Sequence, residues 1–60
     1  MPTYLTDSRR GLTYEWNGSH TVNILRDGEE IDCFTFGFNM GGKVPTFLDF
    51  VAAVNNHNGD

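Results

Sequence analysis

The sequence predicts an α+β domain in which a three-stranded antiparallel β-meander precedes one C-terminal α-helix (β-β-β-α). Two dipeptides, Asn17-Gly18 and Asp27-Gly28, are typical of tight hairpin turns and separate stretches that alternate between apolar and polar residues. After Pro45 the apolar spacing becomes helical. Sixty residues suffice for one small domain, so residues 1–60 are interpreted as a single unit.

Three strands are predicted around the two turns. The segment LTYEW at residues 12–16 alternates strictly, and TVNILR at residues 21–26 resumes the pattern. A third strand over residues 30–38 is rich in β-branched and aromatic residues, which favour strands. Residues 3–6 also fit a short edge strand, which leaves the sheet with three strands or four.

The predicted helix lies in the segment FLDFVAAVNNH. Thr46 is a good N-cap residue, and Asp49 three positions later completes a pattern similar to a capping box. The dipeptide Asn58-Gly59 is expected to end the helix. The residues at helical spacing that would face the sheet are Phe47, Phe50, Val51 and Val54.

The alternation predicts one apolar face and raises a question about a second. A three-residue first loop and a two-residue second loop pair Tyr14 with Val22 and put six residues on one face: Leu12, Tyr14, Val22, Ile24, Ile31 and Cys33. Phe34, Phe36 and Phe38 then project from the other face. Either a β-bulge near Cys33 and Phe34 changes the alternation, or another chain covers the second face. The second alternative is favoured, and it predicts a homodimer or a partner site.

Charge argues against a nucleic-acid partner. The net charge is −4, and Arg9, Arg10, Arg26 and Lys43 are the only strong bases against eight carboxylates. Binding to phosphate backbones requires a basic surface, so a basic protein surface is the expected partner. The single Cys33 fits a reducing compartment, and no long apolar run is present. A cytoplasmic protein without membrane contact is therefore expected.

The segment GFNMGGKV at residues 37–44 comes close to a phosphate-binding loop. It reproduces G-x-x-x-x-G-K, but Val44 stands where a Ser or Thr would hold Mg²⁺. Pro45 also removes one backbone donor, and the parallel sheet that carries such loops needs a much longer chain. We interpret the segment as a strand-to-helix connection.

Three residues are candidates for metal ligands or for a Cys-His catalytic pair: Cys33, His20 and His57. Their spacings match no zinc-binding pattern. Cys33 falls in the middle of a strand among apolar neighbours, which predicts a buried and unreactive thiol. The sequence therefore predicts no catalytic residues, no metal site and no cofactor, and the chain is not expected to be an enzyme.

The segment RDGEEID concentrates carboxylates at the second hairpin turn. Acidic side chains next to aromatic ones can form a charged rim around an apolar anchor, which is typical of compact protein interfaces. The expected function is that of a non-enzymatic protein-binding module. The residues expected to contact the partner are Asp27, Glu29, Glu30, Asp32, Phe34, Phe36 and Phe38.

The chain resembles two kinds of known protein, and each resemblance implies a different biological role for a binding module. The strand order, with GEEIDCFTFGF before a helix, resembles the arm-binding domains of phage integrases and related plant DNA-binding domains, which implies a DNA-binding accessory domain. In size and charge the chain is similar to the small acidic proteins with which phages disable host machinery, anti-CRISPR proteins among them. That second resemblance implies an inhibitor that occupies a basic surface on a nucleic-acid-handling protein, and it is the favoured one. A structural homodimer is the third alternative.

Overall fold

The structure is a computed structural model that describes residues 2–37 and 41–58. Four strands and one helix follow in chain order: β1 (Thr3–Asp7), β2 (Leu12–Trp16), β3 (Thr21–Arg26), β4 (Glu29–Thr35) and α1 (Phe47–His57). The strands form one antiparallel sheet in the order β1-β2-β3-β4. The predicted α+β class is confirmed, and the short N-terminal strand is present as β1.

The helix packs on one face of the sheet and closes the core. Trp16 stacks on Phe50 with ring centroids 5.3 Å apart and the planes 12° from parallel. Half-buried side chains of Leu5, Leu12, Phe34 and Phe36 surround this core. The buried hydrophobic residues of this core are Tyr14, Trp16, Val22, Ile24, Phe50 and Val54.

Both ends of the helix are fixed by side chains. At the start, the predicted capping box is confirmed: the Thr46 N–H donates to Asp49 Oδ2 at 2.8 Å, and the Asp49 N–H donates to Thr46 Oγ1 at 3.4 Å. At the end, the Tyr14 hydroxyl donates to Asn58 Oδ1 at 2.7 Å and ties the last turn to the sheet. The predicted cap Gly59 lies outside the described residues. At eleven residues, α1 is too short to cross a membrane.

The register of the first hairpin differs from the predicted one. Tyr14 pairs with Ile24 and Trp16 with Val22, so the predicted pairing of Tyr14 with Val22 is wrong by two positions. The connection spans residues 17–20, and the indole Nε1 of Trp16 donates to the Ser19 carbonyl within it at 2.6 Å. A two-residue shift preserves the alternation, so the predicted facing of both strands stands.

A β-bulge changes the alternation in β4. Leu25 pairs with Glu30 and Ile24 with Asp32, so Ile31 between them is the extra residue. A bulge was one of the two alternatives, but it lies before the expected position at Cys33 and Phe34. From the bulge onward every side chain of β4 is on the opposite face from the one predicted.

The bulge corrects the predicted apolar faces. Phe34 pairs with Val22 and lies on the helix-covered face, where it and Phe36 pack against the core. The expectation that these two rings project from the opposite face is therefore wrong, and Phe38 lies outside the described residues. Cys33 is exposed, so the expected buried thiol is also wrong.

Candidate functional site

The β3–β4 hairpin ends in an exposed acidic surface. Its turn is the predicted two-residue Asp27-Gly28 loop, with φ values of 54° and 81° that suit a tight hairpin turn. All four carboxylates are exposed, and Arg26 is the nearest base along the chain. We call this surface the acidic tip, and it consists of Asp27, Glu29, Glu30, Ile31 and Asp32.

An apolar side chain lies among these carboxylates. Ile31 is 48% exposed, although the sequence pattern placed it in the core. The bulge removes it from the regular alternation, and its neighbours Glu30 and Asp32 are both acidic and exposed. The acidic tip therefore combines an accessible apolar anchor with a charged rim.

A groove of about 450 Å³ lies between the end of β4 and the helix. Its walls are partly aromatic: the His57 ring stacks on Phe34 with centroids 4.1 Å apart and planes 3° from parallel. We call it the β4–α1 groove. Its lining residues are Phe34, Thr35, Phe36, Gly37, Asp49, Ala52, Ala53, Asn56 and His57.

The structure separates the residues that the sequence grouped as contact residues. The four carboxylates form the acidic tip, whereas Phe34 and Phe36 are half-buried and line the groove. His20 holds the end of this segment: its Nδ1 lies 3.0 Å from the Phe36 carbonyl oxygen, and its ring lies 6.1 Å from that of Phe36. Phe38 is not among the described residues.

The face of the sheet opposite the helix carries a carboxylate at its centre. The Tyr4 hydroxyl donates to Glu15 Oε2 at 3.1 Å, and Asn23 Nδ2 donates to Glu15 Oε1 at 3.3 Å. The hydrogen bond to Glu15 raises the pKa of Tyr4. Strand alternation puts Glu30 on this face as well. Among the strand residues between positions 3 and 35, it places no Lys or Arg on this face. A phosphate backbone would be repelled by such a face.

The three residues considered for metal binding or catalysis are not brought together. Cys33 pairs with Asn23 on the open face, whereas the His57 ring stacks on Phe34 on the covered face. Within the described residues, no group of three or more His, Cys, Asp and Glu side chains could hold a metal ion.

The glycine-rich segment is only partly described. Gly37, Gly41 and Gly42 have φ values of 79°, 64° and 85°, which suit a chain that changes direction. Lys43 is exposed next to them. The middle of the motif, residues 38–40, lies outside the described residues, so the comparison with a phosphate-binding loop stays at the sequence level.

A second, smaller groove of about 310 Å³ lies on the other side of the helix, against β1 and the β1–β2 turn. Here Asp7 accepts a 2.9 Å salt bridge from Arg10, whose guanidinium also donates to the Asn58 carbonyl at 3.4 Å. The Arg10 hydrogen bond lowers the pKa of Asp7, assisted by the backbone N–H groups of Arg10 and Arg9. This groove is bordered by a structural ion pair.

Comparisons with protein-family models, with curated proteins and with solved structures find no match for the chain. The function is therefore inferred from the surfaces themselves. The sequence interpretation missed two features of these surfaces. One is the exposure of Ile31, and the other is the contribution of Ala52 and Ala53 to a groove. Two adjacent small residues in a helix that follows a Phe-rich strand were the available signal for the groove.

Proposed function

We propose that this chain is a small acidic binding module, without enzymatic activity, that attaches to a basic surface on another protein. The observation that supports it is the exposed Ile31, which lies between the exposed carboxylates of Glu30 and Asp32 along the acidic tip. Compact interfaces obtain affinity from a few apolar anchors, while charged groups at the rim select the partner and speed the encounter.

The charge distribution supports the same proposal. Half of the chain's carboxylates, four of eight, lie in the acidic tip, and the net charge is −4. Concentrated charge on an exposed hairpin attracts an oppositely charged surface over a distance of about 8 Å at physiological salt. If that surface belongs to a nucleic-acid-handling protein, the carboxylates take the place of phosphates and the module inhibits it, as the proposed resemblance to phage inhibitors implies.

The two alternatives have less support. A DNA-binding accessory domain would read a groove with its sheet, but Glu15 lies at the centre of the open face. A homodimer was expected from a second apolar face, and Phe34 and Phe36 instead pack against the core. The exposed carboxylates of the acidic tip favour a partner of opposite charge over DNA or a second copy of this chain.

The test is a comparison of two variants with matched net charge. In the tip-neutralised variant, Glu29→Gln, Glu30→Gln and Asp32→Asn remove three charges from the acidic tip. In the lysine-control variant, three exposed residues elsewhere change by the same amount of charge: Ser8→Lys, Asn17→Lys and Asn55→Lys. The partner is captured from lysate with the tagged chain and purified, and association rates are then measured over a salt series.

We expect the tip-neutralised variant to associate about tenfold more slowly at low salt and to lose most of the salt dependence of its rate. The lysine-control variant should keep a steeper salt dependence, because its acidic tip is unchanged. Ile31→Ala should instead speed dissociation, because it removes the apolar anchor and leaves the charges. Equal rates and equal salt slopes for the two charge variants would overturn the proposal.

A further inference from the structure

We infer that the β4–α1 groove is a strand-addition site, which takes an extended segment carrying basic side chains. The inference rests on the proposed function, because it states how a basic partner would be held once the acidic tip has attracted it. In strand addition, an extended segment pairs with the exposed edge of a sheet, and neighbouring pockets select its alternate side chains.

The backbone geometry of β4 provides the edge. β4 is the last strand of the sheet, and the Phe36 N–H donates to the His20 carbonyl at 2.9 Å. Because backbone groups in an antiparallel ladder alternate in direction, those of Phe34 also point toward β3. The N–H and C=O groups of Cys33 and Thr35 then point away from β3, toward the open edge.

The two halves of the β4 edge differ in whether their outward backbone groups are available for pairing. In the first half, the Ile31 bulge interrupts the strand, and Asp32 Oδ1 accepts the outward N–H of Cys33 at 2.8 Å. Bulges and charged side chains are the usual protection of an edge against unwanted pairing. In the second half, Thr35 presents both an outward N–H and an outward C=O. The open half of the edge is the half that borders the groove.

The backbone of Thr35 belongs both to this edge and to the lining of the groove. Thr35 pairs with Thr21, so its side chain belongs to the open face, yet it lines a groove that lies on the helix side. The backbone of Thr35, whose N–H and C=O point toward the outer edge, is the part of this residue that can line a groove on the helix side. A segment added to β4 would therefore place every second side chain above Phe34 and Ala53. The volume of about 450 Å³ suits such side chains.

The charges around the β4–α1 groove indicate which kind of segment would bind there. Asp49 lines the groove, Asp32 lies on the same edge, and no Lys or Arg contributes to the lining within the described residues. A second copy of this chain would bring its own acidic tip against the first, and like charges in an interface are unfavourable. A segment with basic side chains complements both carboxylates. The geometry thus favours a basic extended segment over self-association.

The experiment uses two synthetic ten-residue peptides as probes on the complete chain. One alternates lysine and valine, and the other alternates glutamate and valine. Affinity is measured by isothermal titration calorimetry, and the contact is located by amide-proton NMR. We expect the lysine peptide to bind about tenfold or more tightly than the glutamate peptide, with slowed amide exchange at Thr35. Equal affinities, or changes confined to other strands, would overturn the inference.

Variants then separate edge pairing from simple charge attraction. Thr35→Pro removes the outward N–H without removing a bond to β3, and Thr35→Val keeps that N–H. Ala52→Tyr fills the groove, and Leu48→Tyr introduces the same side chain at a helix residue that is 76% exposed and outside the groove. We expect about a tenfold loss of lysine-peptide affinity for Thr35→Pro and Ala52→Tyr, and little change for the two controls.

Each outcome decides one question. Should Thr35→Pro fail to fold, Ala52→Tyr against Leu48→Tyr still tests the groove. Undiminished binding by Ala52→Tyr would overturn the inference, as would sedimentation showing dimers that Thr35→Pro abolishes. If the charge variants bind the captured partner alike while the peptide still requires Thr35, the proposed function fails and the groove stands. If partner binding depends on the acidic tip but no peptide enters the groove, only the inference about the groove fails.

Discussion

The two hairpins that share β3 have opposite relations to the rest of the molecule. In the β2–β3 hairpin, Tyr14, Trp16 and Val22 are buried, and the Trp16 indole stacks on the helix. In the β3–β4 hairpin, every residue from 26 to 33 is exposed. The first hairpin supplies the buried side chains of the sheet, whereas the second leaves the start of β4 exposed to solvent. Under the proposed function, stability and recognition would lie on different hairpins of one sheet.

The separation follows from the single helix. Phe50 and Val54 are the only buried residues in the described part of α1, and they pack with the buried side chains of the first hairpin. The bulge at Ile31 then releases the start of β4 from the alternation that would have turned Ile31 inward. The same bulge returns Phe34 to the core, so the second hairpin stays attached at its far end.

The largest expected effect is the difference between Trp16→Ala and Ile31→Ala. Trp16→Ala removes a buried ring, its stacking on Phe50 and its hydrogen bond to Ser19, and should cost about 3–5 kcal/mol of unfolding free energy. Ile31→Ala alters a half-exposed side chain and should cost less than about 1 kcal/mol. Urea denaturation followed by circular dichroism measures both.

Trp16→Phe is the matched control for the first change, since it keeps an aromatic ring against Phe50 and loses the indole N–H. The unfolding free energy of Trp16→Phe should lie between that of the wild type and that of Trp16→Ala. Comparable destabilisation by Trp16→Ala and Ile31→Ala would mean that the two hairpins contribute equally to stability, and the comparison between them would be wrong.

The next effect concerns the cap that holds the helix over the first hairpin. Thr46→Ala removes the hydroxyl that accepts the Asp49 N–H, and the expected loss is about 1 kcal/mol of unfolding free energy. Thr46→Ser keeps a hydroxyl and should lose only a few tenths of that amount. Urea denaturation of both variants is the measurement, and equal stability of Thr46→Ala and wild type would contradict the role of the capping box.

The parts of the fold that could be predicted depend on local chemistry. Asp27-Gly28 turns because both residues adopt positive φ, and the Thr46–Asp49 cap depends on residues three positions apart. The first-hairpin register could not be predicted, because it depends on a hydrogen bond from Trp16 to the Ser19 carbonyl. Local patterns therefore predicted the elements more reliably than the pairing between them.

Part of the geometry of the acidic tip could be predicted from the sequence, for the same reason. The four carboxylates form a short contiguous segment, so their location on one exposed hairpin was readable. The bulge at Ile31 was not, because a bulge is chosen by which side chains the core accepts, here Phe34 and Phe36 in place of Ile31 and Cys33. The groove depends on the position of the helix relative to the edge of β4, which no local pattern specifies.

The smallest expected effect is a pH dependence that distinguishes Asp7 from the carboxylates of the acidic tip. The Arg10 hydrogen bond lowers the pKa of Asp7 in the folded chain below its ordinary value of 3.8. Because the pKa of Asp7 is lower in the folded chain than in the unfolded chain, its ionised form stabilises the fold at pH values above the unfolded-state pKa. That stabilisation is lost as the pH falls through the folded-state pKa. Asp7→Asn should therefore reduce the loss of stability below about pH 4. Urea denaturation over a pH series measures it.

The matched control is the tip-neutralised variant, which retains Asp7, Arg10 and the link from Arg10 to the Asn58 carbonyl. It should keep the part of the acid sensitivity that comes from Asp7, although it lacks three other carboxylates. If Asp7→Asn kept the full acid sensitivity while the tip-neutralised variant lost it, the acidic tip rather than the β1–β2 turn would be coupled to folding. Stability and recognition would then share the same carboxylates, and the division of labour between the two hairpins would not hold.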